Sequence, residues 1–200
     1  MNVEHWFLIT LWILYCLLHS FLADIRVKHL IQNIMGNSFK FYRLSYSLFA
    51  SVTLIGILWY QFTIKSIYLF SEANILFAVA MILIIPGLIV MIICIKKYFY
   101  ELSGIQAFKK DEPHVTLQQK GLHNYIRHPL YAGTLLFVWG LFLLFPLLSN
   151  IIACVIITLY VLVGIRLEEK QLLIEFGESY KEYSKNIPML IPDFWAKSKK

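Results

Sequence analysis

Two short segments of this chain carry side chains that could do chemistry together. The first, Gly121-Leu-His-Asn-Tyr-Ile-Arg-His-Pro-Leu-Tyr-Ala-Gly133, holds Arg127, the imidazoles of His123 and His128, and the phenols of Tyr125 and Tyr131. The second, Arg166-Leu-Glu-Glu169, comes about forty positions later and sets a cation beside two adjacent carboxylates. Carboxylates accept hydrogen bonds from hydroxyl and ammonium groups and attract a sulfonium. Pro129 suits the first position of a helix, where free amide donors and the positive end favour a carboxylate. Tyr125 and Tyr131 can flank an adenine ring or close a pocket. Brought together, these groups make a site for a zwitterionic, nucleotide-like cofactor, and the residue types alone do not choose which one.

Other reactive side chains give weaker signals. His123 and His128 are five apart with His114 nearby, whereas a ligand pair on one helix face needs a spacing of three or four, so no metal site is expected. Cys16, Cys94 and Cys154 each stand alone in an apolar run, and their odd number argues against a disulfide framework. His19, near the end of an apolar run, is a functional candidate by position, with pairing to backbone or Ser20 as the plain alternative. Glu168 and Glu169 have a plain alternative too, as the solvated start of a helix balanced by Lys170. For Tyr131 the plain alternative is part of an interfacial aromatic belt.

The elements that must position these groups are membrane helices. The chain has 200 residues, of which 59% are hydrophobic, 16% aromatic and 15% charged. Soluble domains carry about 25% charged residues, so a disulfide scaffold, a disordered chain and an ordinary cytosolic enzyme are all excluded. About 20 apolar residues cross ~30 Å of hydrocarbon at 1.5 Å per residue. Such runs occupy His5–Ala23, Tyr42–Thr63 and Asn74–Ile95. A fourth stretch, Pro129–Leu167, is twice too long for one crossing and contains Pro146, where a helix must end or kink. It divides into Pro129–Phe145 and Leu147–Leu167. The expected fold is all-α, with five transmembrane helices and the last two in a tight hairpin.

Charge supports that count. The net charge is +6, and of the 18 Lys and Arg residues all but Lys65 fall on one face of a five-span chain. The positive-inside rule makes that face cytoplasmic, with the N-terminus outside and the C-terminus inside. The basic balance is therefore read against a lipid bilayer, with no nucleic-acid partner, and the Lys197–Lys200 tail would touch anionic lipid. The opening MNVEHW lacks the basic start and cleavage pattern of a signal peptide, so the first run is expected to be retained. Residues 1–95 would form a three-helix membrane region and residues 96–200 a cofactor-binding region. The polar insertion Lys96–Arg127 is expected to include a short helix around Tyr98–Phe108. Leu172, Phe176, Tyr180 and Tyr183 in Glu168–Asn186 fit one amphipathic helical stripe. No Gly-x-x-x-Gly face gives an oligomeric state.

Arg127-His-Pro-Leu-Tyr-Ala-Gly133, then Arg166-x-Glu168-Glu169, then Phe176-Gly-x-x-Tyr180-x-x-Tyr183, resembles the shared C-terminal half of membrane methyltransferases. That superfamily takes in isoprenylcysteine carboxyl methyltransferases, phospholipid N-methyltransferases and methanethiol S-methyltransferases. The resemblance covers about residues 117–192, including the closing Ile187-Pro-Met-Leu-Ile-Pro192. His19-Ser20 and Tyr42-Arg43-Leu44-x-Tyr46 in the front half are more similar to the thiol methyltransferase and NnrU-like branches. The resemblance implies S-adenosylmethionine as cofactor and a multi-pass protein of a bacterial inner membrane. Gly121, Tyr125, Arg127, His128, Tyr131, Gly133, Glu168 and Glu169 would bind the cofactor, and Arg166 and Glu169 would serve catalysis.

The reaction so implied is an in-line methyl transfer, which positioning alone can accelerate by several kcal/mol and, in ideal cases, by about 7–11. The acceptor is a small thiol or a lipophilic molecule such as an isoprenylcysteine-like carboxylate or a lipid. Arg166 and His128 could favour an anionic nucleophile, whereas a lipid amine would need Glu169 as base. Two alternatives stand beside this reading. A sterol-type reductase using NADPH would have more spans and a larger cofactor loop. An NnrU-like accessory protein would have no use for the paired carboxylates.

Overall fold

The computed structural model describes residues 1–71, 74–103 and 117–193. The far end of the expected Tyr98–Phe108 helix, His114, Lys109, Lys110, Trp195 and the Lys197–Lys200 tail lie outside the described residues. Seven helices follow in order: α1 (Val3–Ala23), α2 (Ile25–Met35), α3 (Tyr42–Thr63), α4 (Asn74–Ser103), α5 (Pro129–Leu144), α6 (Leu148–Phe176) and α7 (Glu178–Asn186). Two 3₁₀ turns, Gly36–Phe41 and Gly121–Asn124, complete the described elements. Every element named among the described residues is helical.

Local chemistry sets the boundaries. Asn2 caps α1 by accepting from the His5 amide, and Asp24 ends α1 while capping α2 through the Arg26 amide at 2.8 Å. Helix α2 was not expected from the sequence, although Asp24 is a good N-cap and Val27, Leu30, Ile31 and Ile34 recur at helical spacing. Gly36 closes it at φ +50°, a conformation that favours glycine. Helix α4 continues past the expected Ile95 and breaks its regular geometry at Tyr98 (φ −105°, ψ 15°). Pro129 opens α5, and the chain leaves helical geometry around Pro146 before α6 begins.

Five spans were expected, and among the described residues four helices are long and apolar enough to cross a membrane: α1, α3 with its preceding turn, α4 and α6. The chain is thus a multi-pass membrane protein. Helix α5 has 16 residues, about 24 Å at 1.5 Å each and short of a ~30 Å core. Helix α6 has 29 residues and runs straight through Glu168 and Glu169. The single stripe expected over 168–186 is therefore broken. Gly177, at φ +53°, separates α6 from α7.

The chain divides into two compact units. The first takes α1 to α3, the end of α4 and residues 145–156. A buried polar chain ties it together: Trp12 Nε1 donates to Gln61 Oε1 at 2.9 Å, and Gln61 Nε2 donates to Asn150 Oδ1 at 2.9 Å. Asn150 Nδ2 then donates to the Phe145 carbonyl at 2.8 Å. Ser66 Oγ joins the His5 ring at 3.3 Å and accepts the Ser149 amide at 2.9 Å. In hydrocarbon such groups must find partners within the protein, because an unsatisfied one costs several kcal/mol.

The second unit holds residues 74–94 of α4, α5, residues 157–176 of α6, and α7. A tight seam lies between α4 and α5. A Cβ on Gly140 would stand 2.6 Å from Ile84 Cγ1 and 3.1 Å from the Ala80 carbonyl oxygen. A Cβ on Gly133 would stand 3.0 Å from the Gly87 carbonyl oxygen. Glycines seven apart on α5 thus bring two backbones into contact. On its other side Trp139 Nε1 donates to Thr158 Oγ1 of α6 at 3.1 Å.

Candidate functional site

The site forms at the start of α5, within the second unit. Gly121, at φ +71°, turns the chain into the 3₁₀ turn, and His123 Nδ1–H donates to the Arg127 carbonyl at 3.0 Å. The Tyr183 hydroxyl of α7 donates to the His123 carbonyl at 2.7 Å. The segment after α7 straps the same stretch: the Arg127 amide donates to the Pro188 carbonyl (2.9 Å) and the His128 amide to that of Met189 (3.1 Å). Pro188 offers an acceptor here without bringing a donor that would need satisfying. Arg127 and His128 are thereby fixed from their backbones before their side chains are placed.

The side chains then converge on α6. Arg127 Nη2 meets Glu169 Oε1 at 3.0 Å, and its Nη1 donates to the Ser184 carbonyl at 3.1 Å. His128, only 4% exposed, places Nε2 at 3.1 Å from the same Glu169 oxygen. Its Nδ1 lies 3.7 Å from Glu168 Oε2, and the Tyr131 ring packs against it with 5.7 Å between centroids. Arg127, His128, Tyr131, Glu168 and Glu169 therefore form one cluster. Gly121 shapes its approach. Tyr125 is 63% exposed, Arg166 is exposed with no ion pair to a described carboxylate, and Gly133 serves the α4–α5 seam.

Two features of the cluster call for a ligand. If His128 Nε2 carries the proton shared with Glu169, Nδ1 is an acceptor facing a carboxylate oxygen, and a donor belongs between them. Among the described residues the buried Arg127 Nε finds no hydrogen-bond partner. One cation against two carboxylates also leaves net negative charge when the imidazole is neutral. The cluster thus offers acceptors and negative charge on one side and an unspent donor on the other. That donor set fits a zwitterion carrying hydroxyls and a cationic centre.

Sequence reasoning missed Tyr180 as part of the site. Its phenol is buried beside Glu169, and burial first, then the Glu169 charge, pushes its pKa up, with Arg127 opposing. The Tyr180-x-x-Tyr183 spacing was visible as an apolar stripe, but nothing in it told of a buried phenol within reach of the Glu169 charge. The strap through Pro188 and Met189 was equally silent, because backbone pairing leaves no mark on residue type.

A family model described as "Phospholipid methyltransferase" matches residues 75–179. The methanethiol S-methyltransferase of Crocosphaera subtropica is 28% identical over 78% of this chain and 63% of its own length. That of Pseudomonas deceptionensis is 38% identical over 36% of this chain and 26% of its own. The protein-S-isoprenylcysteine O-methyltransferase of Schizosaccharomyces pombe is 34% identical over 45% of this chain and 38% of its own. The chain thus spans less than two thirds of the length of each of these relatives. No solved structure matches it.

Proposed function

The chain belongs to the phospholipid methyltransferase family, and from that premise we propose that it is an S-adenosylmethionine-dependent methyltransferase of a bacterial inner membrane acting on a small thiol. The observation that carries this reading is the cluster of Arg127 and His128 with Glu168 and Glu169, which lies inside the family-matched residues. Several matched relatives are named for methanethiol, which favours a thiol over a carboxylate or a lipid amine.

In this reading α5 completes a fifth span and pairs with α6 as an antiparallel hairpin. The contacts His128–Glu169 and Trp139–Thr158 support it, since both pairs are centred on the same turn. Residues 1–95 then form the membrane region and residues 96–200 the cofactor region. Glu168, the less tied carboxylate, accepts hydrogen bonds from cofactor hydroxyls, and Arg127 and the α5 start receive its carboxylate. Tyr131, Tyr125 and Gly121 border the pocket. Glu169 holds Arg127 and His128 in place, and Arg166 draws the acceptor thiol toward its anionic form. The bound cofactor supplies an electrophilic sulfonium methyl group. The chain's own task is to orient both partners, exclude water and hold charge, which suffices for an in-line displacement.

Calorimetric titration of the purified protein with S-adenosylhomocysteine tests the assignment, with Glu168→Ala expected to weaken binding. Labelled methyl transfer to methanethiol, set against total lipid, tests the acceptor. Binding of NADPH in its place would select a reductase, and binding of neither would select an accessory role.

A further inference from the structure

The first unit carries a groove that the methyl-transfer reading does not use. Between α1 and α3 lies an apolar cavity of about 480 Å³, walled by side chains such as Phe7, Leu11, Leu14, Phe49 and Ile57. A second cavity of about 610 Å³ adjoins it, and the charged side chains in its wall are all cationic: Lys28, Lys40 and Arg43. The two share Tyr15, His19, Tyr46 and Ala50. At this waist the Tyr46 hydroxyl meets the His19 ring at 2.9 Å. The result is one groove with an oily limb, a polar waist and a basic mouth.

Charge and length both point to its occupant. Among the described residues no ion pair engages Lys28, Lys40 or Arg43. The nearby Asp24 carboxylate is occupied in capping α2. Burial, then the Arg43 charge, hold the Lys28 ammonium below its ordinary range against a smaller opposing pull from Asp24. Among the described residues these three cations make no ion pair, and Asp24 offsets only part of the charge around Lys28. Along α1 the oily limb runs from Phe7 to Leu18, about 16 Å of helix, close to the ~15 Å of one leaflet's hydrocarbon.

We propose that this groove binds one anionic phospholipid of the surrounding bilayer, an acyl chain along α1 and α3 and the phosphate against Lys28, Lys40 and Arg43. The His19–Tyr46 pair sits where the ester linkages would lie. The site is independent of methyl transfer, so its test needs no turnover.

Native mass spectrometry of the full chain in detergent, with phosphatidylglycerol and phosphatidylcholine of identical acyl chains, reads the preference directly. One phosphatidylglycerol should be retained with about tenfold or greater preference, and the K28Q/K40Q/R43Q variant should fall to near parity. Gly56→Phe should lower retention of both lipids, because a Cβ at Gly56 meets nothing within 4 Å and the ring fills the oily limb. Palmitate should fail to displace the phospholipid. Equal retention of both lipids, an unchanged preference in the triple variant, undiminished binding in Gly56→Phe, or full displacement by palmitate would each overturn the proposal. Should the triple variant fail to elute like the parent, Arg43→Gln alone is measured, and an unchanged preference there counts against the site equally.

Discussion

Glu168 and Glu169 are neighbours in sequence, yet their carboxylates are held differently. The Glu169 side chain is 25% exposed and meets both Arg127 and His128, whereas that of Glu168 is 45% exposed with its His128 contact at 3.7 Å. Glu169→Gln removes the charge that Arg127 pairs with and should cost about 1–3 kcal/mol, read as a lower melting temperature in detergent. Glu168→Gln should leave the melt nearly unchanged and weaken S-adenosylhomocysteine binding tenfold or more. Equal melting losses in the two variants would contradict this division of roles. Tyr180 adds a pH signature. Its folded pKa is raised, so the stability from keeping the phenol neutral is complete below the ordinary value of about 10 and is lost as pH rises through the folded value. Melts between about pH 8 and pH 11 should therefore fall more steeply for the parent than for Tyr180→Phe.

At the scale of elements, glycine position decides what is tolerated. Gly133→Ala and Gly140→Ala each place a Cβ against the α4 backbone and should destabilise by about 1–3 kcal/mol. Gly164 of α6 has open space around its would-be Cβ, so Gly164→Ala should be neutral or stabilising by up to about 1 kcal/mol. Melting the three variants side by side checks the seam, and a destabilised Gly164→Ala would show that helix glycines matter for another reason. That seam was hidden in the sequence because its glycines are seven apart and face a partner helix whose register no local pattern reveals. The apolar runs were legible because hydrocarbon thickness fixes helix length. The meeting of His128 with Glu169 was legible because Pro146 lies about midway between them. Length was less so where polar ends extend a helix. Helix α6 runs on past the charged Glu168–Lys170 to Phe176, and the backbone of Gly177 at φ +53° ends it.

For the whole molecule, the distribution of basic side chains makes the sharpest demand. Lys65 follows α3, while Arg26 follows α1 and Tyr125 precedes α5, and all three are exposed. In the proposed five-span topology Lys65 faces outward and the other two face the cytoplasm. Single cysteines at these positions, each tested with a membrane-impermeant maleimide on intact cells, should separate them. Lys65→Cys should label at once, and Arg26→Cys and Tyr125→Cys only after permeabilisation. The native Cys16, Cys94 and Cys154 are all buried, so the parent should stay dark in both conditions and serve as its own blank. If Arg26→Cys and Tyr125→Cys label from opposite sides, an odd number of crossings separates α1's end from the start of α5. The methyl-transfer cluster would then sit on the face that lacks the basic residues flanking α1 and α3, and the five-span topology would be wrong.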